Sequence, residues 1–295
     1  MKPAQITLCL VSTLISLSGL ELIARYQLHQ QAKLRLPVYI ADHILGFKLK
    51  QSLQVKPTTN TFRILMLGDS FTQGNEVPVD KTFSKILEHR LNQSLERTYE
   101  VINAGIRGGS PIQYYLWLKT EGLKLNYDLI ILNFYLGNDI TDALMFNVTV
   151  DAAGLATKLT LKDTYVDAHG YLRRRQTHFS LCELSAFCRL YLRPKPVVAN
   201  WDSQAWQLTR QHLLAIKRLA ALHQSQFILT LIPEAANFDT PVHQLLLDFA
   251  AQNNIKLIDF TPMINLSMYD TLDRHWNESG HQKAAQVSYE YFLSL

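Results

Sequence analysis

The sequence predicts an α/β protein with a flavodoxin-like, doubly wound parallel sheet of five strands. Five apolar runs of four to seven residues are rich in β-branched, leucine and aromatic residues, which is typical of buried parallel strands. Amphipathic stretches separate the runs, and strands that alternate with helices form doubly wound sheets. The predicted strands are 62–67, 99–102, 129–135, 227–232 and 255–260, and the clearest helical stretches are 83–95 and 240–251.

The composition excludes several classes of protein. The chain has 295 residues, of which 47% are hydrophobic and 18% are charged, so it is neither a disordered chain nor a coiled coil. Its net charge of +4 is small, and no long run of Lys and Arg interleaves with aromatic residues, as a nucleic-acid groove requires. We therefore expect no nucleic-acid partner.

The three cysteines, Cys9, Cys182 and Cys188, match no zinc-binding spacing. We therefore expect no structural metal. We also expect catalysis without a metal or an organic cofactor. Cys182 and Cys188 could form a short-loop disulfide in an oxidising compartment. In one continuous helix, however, side chains six residues apart would point away from each other, so the sequence leaves the disulfide open.

The first residues predict a membrane segment. No charged residue occurs between Pro3 and Leu20, and a helix of this length, at about 1.5 Å per residue, just spans the hydrocarbon core of a bilayer. The apolar run continues beyond Ser16 and Ser18, where a signal peptidase could cut, so we predict a retained signal anchor. Cleavage, which would give a secreted protein, is the alternative. The predicted division of the chain is an anchor at 1–26, a polar linker at 27–61 and a main domain at 62–295.

One connection is too long to be a simple link between a strand and a helix. Residues 141–201 lie between the third and fourth predicted strands, whereas such links usually have a few residues. The segment includes a hairpin-like stretch at 165–172, which three arginines follow. An insertion at this edge of the sheet could form a lid over a site, or a decorative subdomain without a role in function.

A serine follows the first predicted strand. Gly68, Asp69 and Ser70 come directly after it, and open α/β sheets bind ligands at the carboxyl ends of their strands. The amides of a helix that begins there point towards the same place. This position favours Ser70 as a nucleophile, although the tripeptide alone is more often a turn.

Two further loops at the same predicted edge carry hydrogen-bond donors. Gly105 follows the second strand and Asn138 follows the third, so both amides could converge near Ser70. Donors placed in this way form an oxyanion hole, which stabilises the negative charge of a tetrahedral intermediate. Taken separately, Gly105 could form a turn and Asn138 could cap a helix.

The loop before the final helix supplies a candidate base. His275 lies there, with Asp273 two residues before it. A histidine beside a serine provides the general base that a hydroxyl needs, and a carboxylate fixes the imidazole tautomer and stabilises the imidazolium. A lone loop histidine is usually only solvated, but here it accompanies a strand-end serine, glycine and asparagine.

These four blocks, in this order and spacing, resemble those of the SGNH (GDSL-type) hydrolases, from about residue 62 to the end of the chain. The resemblance implies that Ser70 is the nucleophile and that His275 and Asp273 complete a catalytic triad. It also implies an oxyanion hole formed by the amide of Ser70 together with Gly105 and Asn138.

The spacing in the last block differs from that of many members of this superfamily, in which the aspartate lies three residues before the histidine. The spacing of Asp273 and His275 resembles that of membrane-anchored bacterial members and of periplasmic polysaccharide O-acetyltransferases. The apolar leader with the segment at 42–49 is also similar to the leader of anchored members. Asp270 and Asp259 are the alternatives to Asp273.

We therefore expect a serine esterase that hydrolyses acyl esters, acetyl esters among them, through an acyl-enzyme, with an acylated carbohydrate as one candidate substrate. One alternative is a polysaccharide O-acyltransferase with the same triad, and another is a catalytically silent binding module of the cell envelope. The positive charges on the two sides of the anchor are similar, so the expected periplasmic location of the catalytic domain is argued from its substrates.

Overall fold

The computed structural model describes residues 13, 15–26, 39–49, 60–74, 76–174, 185, 204–235, 240–271 and 273–294. The strands are β1 (Tyr39–Asp42), β2 (Gly46–Leu49), β3 (Thr61–Gly68), β4 (Thr98–Gly105), β5 (Leu129–Tyr135), β6 (Phe146–Val150), β7 (Ala156–Leu161), β8 (Thr164–Val166), β9 (Leu172–Arg174), β10 (Gln226–Ile232) and β11 (Lys256–Asp259). The helices are α1 (residues 15–26), α2 (Ser70–Gln73), α3 (Phe83–Ser94), α4 (Pro111–Thr120), α5 (Asp139–Asp142), α6 (Gln204–Leu222), α7 (Pro241–Gln252) and α8 (Glu278–Leu293). Short 3₁₀ helices occur at Val79–Lys81, Gly122–Lys124, Ala143–Met145, Thr261–Met263 and Leu266–Met268.

A five-stranded parallel sheet in the order β11-β10-β5-β3-β4 forms the centre of the protein. This order confirms the predicted flavodoxin-like fold. The chain leaves β3 towards one edge of the sheet, to β4, and then returns to the other side of β3, to β5. The loops that follow β3 and β5 therefore flank the switch point at which open α/β sheets bind ligands.

Both faces of the sheet are buried, as the continuous apolar strands predict. Ile64 and Met66 of β3 pack on one side, and Leu65 and Leu67 pack on the other, because side chains alternate along a strand. Helices α3 and α8 contact each other on the first side, and α4 and α6 contact each other on the second. The sheet is thus held rigidly between two helical layers.

The predicted linker at 27–61 contains a structured hairpin. Strands β1 and β2 pair antiparallel within it, and the side chains of Tyr39 and Phe47 are 4% and 0% exposed. Buried Gln113 of α4 donates hydrogen bonds to the carbonyls of Leu45 and Phe47, at 3.1 and 3.0 Å. Each strand of the hairpin has only four residues, which is too short to give a clear alternating pattern in the sequence.

The insertion begins with two antiparallel hairpins, β6–β7 and β8–β9. The second spans the hairpin predicted at 165–172. It lies beside β1, since the amide of Tyr39 donates to the carbonyl of Gly170 at 3.2 Å. The second hairpin of the insertion therefore packs against the β1–β2 hairpin.

Some residues of the predicted anchor and of the insertion lie outside the described part of the chain. Among the described residues, no helix is both long enough and apolar enough to span a membrane. Cys9, Cys182 and Cys188 lie outside the described residues, so the disulfide stays a prediction.

Candidate active site

Ser70 is the first residue of α2, directly beyond the end of β3. Asp69 caps this helix, because its Oδ1 accepts a hydrogen bond from the amide of Phe71 at 3.0 Å. The turn requires a glycine at position 68: a Cβ atom there would lie 2.1 Å from Oγ1 of Thr72 and 2.9 Å from the carbonyl oxygen of Asn133. The sequence thus places the hydroxyl of Ser70 at the switch point of the sheet.

The structure brings Ser70 and His275 together. Oγ of Ser70 lies 2.8 Å from Nε2 of His275 and 3.4 Å from Oδ2 of Asp69. A hydroxyl has one hydrogen to donate, and the shorter contact is with the imidazole. Because Ser70 is 5% exposed, little water competes for this contact.

His275 is held by the residue that follows it. Trp276 is fully buried, and its ring packs edge-on against Phe71 and Phe83 with centroids 5.3 and 6.0 Å apart. The turn closes through a hydrogen bond of 2.7 Å from the amide of Asp270 to the carbonyl of His275. The large apolar anchor therefore fixes the position of the imidazole in a loop that otherwise lacks regular structure.

Asp273 lies on the far side of the imidazole from Ser70. Its Oδ2 is 3.3 Å from Nδ1 of His275, and its Oδ1 accepts a hydrogen bond of 3.0 Å from the amide of His275. Nδ1 is buried and forms no well-aligned hydrogen bond with any described residue, so the contact with Asp273 is chiefly electrostatic. Burial alone would raise the pKa of Asp273, but its contacts with the ring and the amide of His275, together with the charge of Arg107, outweigh burial and lower it.

The two alternative aspartates have other partners. Asp259 Oδ2 lies 2.8 Å from Nε2 of His243, and its Oδ1 accepts the amide of Thr261 at 2.9 Å. Asp270 Oδ1 accepts the amide of Asp273 at 3.2 Å and so supports the turn. Among the described residues, the carboxylates within 4 Å of Nδ1 of His275 belong to Asp273 and Glu76.

Gly105 is close to Ser70, but its amide is already used. It donates to Oδ1 of Asn103 at 3.0 Å, which argues against the predicted oxyanion role. Gly105 is needed instead for packing, because a Cβ atom would lie 2.3 Å from the backbone nitrogen of Gln73 in α2. In the turn that follows, the amide of Gly109 bonds to the carbonyl of Ile106, while that of Gly108 has no acceptor among the described residues.

Asn138 precedes α5 but does not cap it through its side chain. Its Oδ1 is buried without a hydrogen-bond partner, and no bond to its Nδ2 occurs in the described part of the chain. Its carbonyl oxygen accepts from the amide of Asp142 at 2.7 Å, which orders the loop. The Nδ2 group of Asn138 therefore has no acceptor in the described part of the chain and is available to a ligand.

Three aspartates near the serine lie in poorly solvated surroundings. Burial raises the pKa of Asp69 to about 6, although the charge of His275 opposes the shift. Burial, followed by the charge of Asp69, raises the pKa of Asp142 to about 7. Burial also raises the pKa of Asp139 well above its usual range, while Tyr114 donates to it at 3.2 Å. Like charges in low dielectric disfavour simultaneous ionisation of all three carboxyls.

Glu76 and Arg107 also belong to the site, although no sequence motif marks either residue as functional. Nη2 of Arg107 forms an ion pair with Oε1 of Glu76, and this oxygen is 3.8 Å from Nδ1 of His275. Candidate ligand atoms of Glu76, Asp273 and His275 lie within 4.8 Å of one another, which is a spacing that a metal could use. The guanidinium beside them disfavours a second cation. The sequence offered only their positions as a signal: Glu76 comes just after a strand-end helix, and Arg107 comes just after a strand.

A sequence model of one family matches most of the chain. The model described as GDSL-like lipase/acylhydrolase matches residues 64–287, which include the serine, asparagine and histidine loops. No protein with a curated function matches the chain.

Several solved structures resemble this fold. A two-domain esterase active on acetylated mannans, crystallised with mannopentaose, is 14% identical with a TM-score of 0.49; the match covers 79% of this chain and 49% of that one. The chain thus spans about half the length of that esterase. A member of the lipolytic G-D-S-L family from Veillonella parvula DSM 2008 is 18% identical with a TM-score of 0.46, covering 79% and 100%. An acetyl xylan esterase, AlAXEase, is 16% identical with a TM-score of 0.47, covering 78% and 99%.

Proposed function

The chain belongs to the GDSL-like lipase/acylhydrolase family and is a serine ester hydrolase, and from this premise we propose that it cleaves acyl esters through an acyl-enzyme formed on Ser70. The observation that carries the proposal is the distance of 2.8 Å between Oγ of Ser70 and Nε2 of His275. A serine at the switch point with an imidazole in contact is the arrangement that nucleophilic catalysis needs.

In the first step, Oγ of Ser70 attacks the ester carbonyl carbon while its proton passes to Nε2 of His275. The negatively charged Asp273 stabilises the imidazolium that forms, because its Oδ2 is 3.3 Å from Nδ1. When the tetrahedral intermediate collapses, the bond to the alcohol oxygen breaks and Nε2 returns the proton to that oxygen. The acyl group remains on Ser70.

In the second step, water replaces the alcohol. His275 takes a proton from the water while the oxygen attacks the acyl carbon, and then returns the proton to Oγ of Ser70 as the acid leaves. The residues of the first step are thus restored without any further reactant.

The oxyanion of both intermediates needs hydrogen-bond donors that are free in the resting protein. We assign this role to the amide of Ser70, which as the first amide of a helix has no acceptor within the helix, and to Nδ2 of Asn138. The third donor is the amide of Gly108 rather than that of Gly105, since the latter bonds to Asn103.

Hydrolysis is tested with p-nitrophenyl esters of increasing acyl length, from acetyl to decanoyl, and the purified full chain. We expect turnover that follows Michaelis–Menten kinetics and depends on acyl length. Addition of an acceptor sugar with free hydroxyl groups distinguishes the acyltransferase, because that enzyme would form the acylated sugar faster than the free acid. Failure to react with any ester, and with a fluorophosphonate that modifies active serines, would favour the silent binding module.

We also propose that the N-terminal segment anchors the enzyme in a membrane, with the catalytic domain on the periplasmic side. The uncharged run from Pro3 to Leu20 supports this. So do the apolar side chains exposed on α1, among them Leu17, Leu22 and Ile23 at 56%, 66% and 57%. After extraction with alkaline carbonate, the full chain should stay in the membrane fraction, whereas a variant that lacks residues 1–26 should be in the supernatant. Extraction of the full chain by carbonate, or protection of the domain from protease added to spheroplasts, would contradict the proposal.

A further inference from the structure

A second carboxylate faces the imidazole of the active site. Oε1 of Glu76 is 3.8 Å from Nδ1 of His275, and Oδ2 of Asp273 is 3.3 Å from the same atom. The side chain of Glu76 is only 7% exposed, so water screens its charge poorly. Nδ1 has no well-aligned hydrogen bond among the described residues, so both carboxylates act on the imidazole through their charge.

Arg107 holds Glu76 in this position. Its guanidinium pairs with the glutamate oxygen that faces His275, and its own amide donates to Oε1 of Gln73 at 3.2 Å. Three segments therefore meet at the pair: the loop after α2, the turn after β4 and the loop that carries His275. A guanidinium in contact with a carboxyl group favours its ionised form.

The charges in this cluster balance when the imidazole becomes positive. Two carboxylates and one guanidinium give a net charge of −1 beside a neutral His275, and protonation of the ring brings the sum to zero. Without Arg107, Glu76 and Asp273 would repel each other across a short distance. Among the described residues, Asp69, Glu76, Asp273 and His281 are the titratable groups around the ring, and Arg107 is paired with Glu76 beside it.

We propose that Glu76 is a second positioning carboxylate for His275, partly neutralised by Arg107, so that Glu76 and Asp273 share the stabilisation of the imidazolium. The inference rests on the proposed function, in which His275 is the general base. A second carboxylate also explains how Asp273, only two residues before His275 in the sequence, can serve catalysis without a linear hydrogen bond to Nδ1.

The most direct test measures the protonation of His275 itself. NMR of the histidine-labelled full chain, with the signal assigned from His275→Gln, gives the midpoint pH of the imidazole titration. Glu76→Gln should lower this midpoint, since a nearby negative charge favours the protonated imidazole. Arg107→Gln should raise it, because it leaves both carboxylates without a neutralising partner. Glu121→Gln is the matched control, since Glu121 pairs with Lys124 on the surface and should leave the midpoint unchanged.

Midpoint shifts of opposite direction in Glu76→Gln and Arg107→Gln distinguish electrostatic positioning from a structural role, because loss of structure alone would not reverse the sign. Shifts of Glu76→Gln and Arg107→Gln in the same direction, or none beyond that of Glu121→Gln, would overturn the inference. Arg107→Gln also gives an independent answer if Glu76→Gln does not fold.

A kinetic double-mutant cycle supplies the second readout. If the two carboxylates share one role, Asp273→Asn combined with Glu76→Gln should lower kcat more than the product of the two single effects. An equal effect of Glu76→Gln with and without Asp273 would contradict this. If the chain hydrolyses esters but Glu76→Gln leaves the His275 titration unshifted, only the role of Glu76 is overturned. If the titrations shift but the chain hydrolyses no ester, only the proposed function is overturned.

Discussion

Oγ of Ser70 lies 2.8 Å from Nε2 of His275, although 205 residues separate them in the chain. The sheet creates this contact, because β3 ends at the serine while the loop after the last strand, β11, returns to the same edge. Buried Trp276 then fixes the imidazole against Phe71, the residue after the serine. The contact therefore depends on the whole of the sheet and on one aromatic anchor.

Asn138→Ala should lower kcat by roughly 10² to 10³, with a smaller change in KM, because its amide would meet the oxyanion mainly in the transition state. Stability should hardly change, since the side chain makes no capping bond to α5. Steady-state kinetics and the melting temperature of the same preparation test this. A lower melting temperature with unchanged turnover would show that Asn138 is structural.

Asp273→Asn should have the largest catalytic effect of three aspartate substitutions. We expect a loss in kcat of roughly 10² to 10³, below the value of about 10⁴ known for a triad aspartate, because Glu76 remains beside the imidazole. Asp270→Asn should act only through the turn, and Asp259→Asn should chiefly disturb its pair with His243. A larger loss for either at unchanged stability would identify another third member of the triad.

Gly105→Ala should destabilise the protein by several degrees in melting temperature, because the added methyl group would lie against the backbone of Gln73. Thermal unfolding measures the effect directly. Gly108→Ala has more room, with Leu172 Cδ2 3.6 Å from the added atom, but its positive φ of 71° also disfavours alanine. Unchanged stability of Gly105→Ala would contradict this packing role.

Acid should destabilise the protein through His281. The ring is 1% exposed, and its Nδ1 accepts the amide of Phe83 at 3.2 Å, so the neutral form is bound. Burial, followed by the charge of His275, lowers its pKa to about 4. An unfolded histidine has a pKa of about 6.5, so between these values the unfolded chain binds the additional proton. The free energy of unfolding therefore falls as the pH decreases from about 6.5 to 4, by roughly 3 kcal/mol at most.

Urea unfolding at pH 7 and pH 4.5 tests the role of His281. His281→Gln should lose less stability between the two pH values than the parent, because glutamine takes up no proton. His89→Gln, at an exposed position of α3, is the matched control and should follow the parent. A decline in His281→Gln equal to that of the parent would assign the acid sensitivity to other groups.

The sheet could be predicted from the sequence because its strands are buried on both faces. The run 129–135 matches β5 residue for residue, and the family resemblance and the fold are confirmed. Strand β4 extends three residues beyond its predicted end at Ile102, because the polar Asn103 breaks the apolar run. In the structure the side chain of Asn103 forms two hydrogen bonds: its Nδ2 donates to the carbonyl of Thr72, and its Oδ1 accepts from the amide of Gly105.

The rest of the site depends on contacts that no local pattern records. Glu76 and Arg107 are ordinary loop residues in the sequence, and only the packing of three loops places their ion pair beside His275. The occupied amide of Gly105 could not be foreseen either, because it depends on how Asn103 turns back onto its own strand.

Ser70→Ala removes the proposed nucleophile while leaving the rest of the site in place. Ester hydrolysis by the purified variant should fall by several orders of magnitude, since the loss of a triad serine leaves only binding and oxyanion stabilisation. Its melting temperature and circular dichroism should match those of the parent, because the hydroxyl contributes little to packing. Turnover near the parental value by a correctly folded Ser70→Ala protein would exclude Ser70 as the nucleophile.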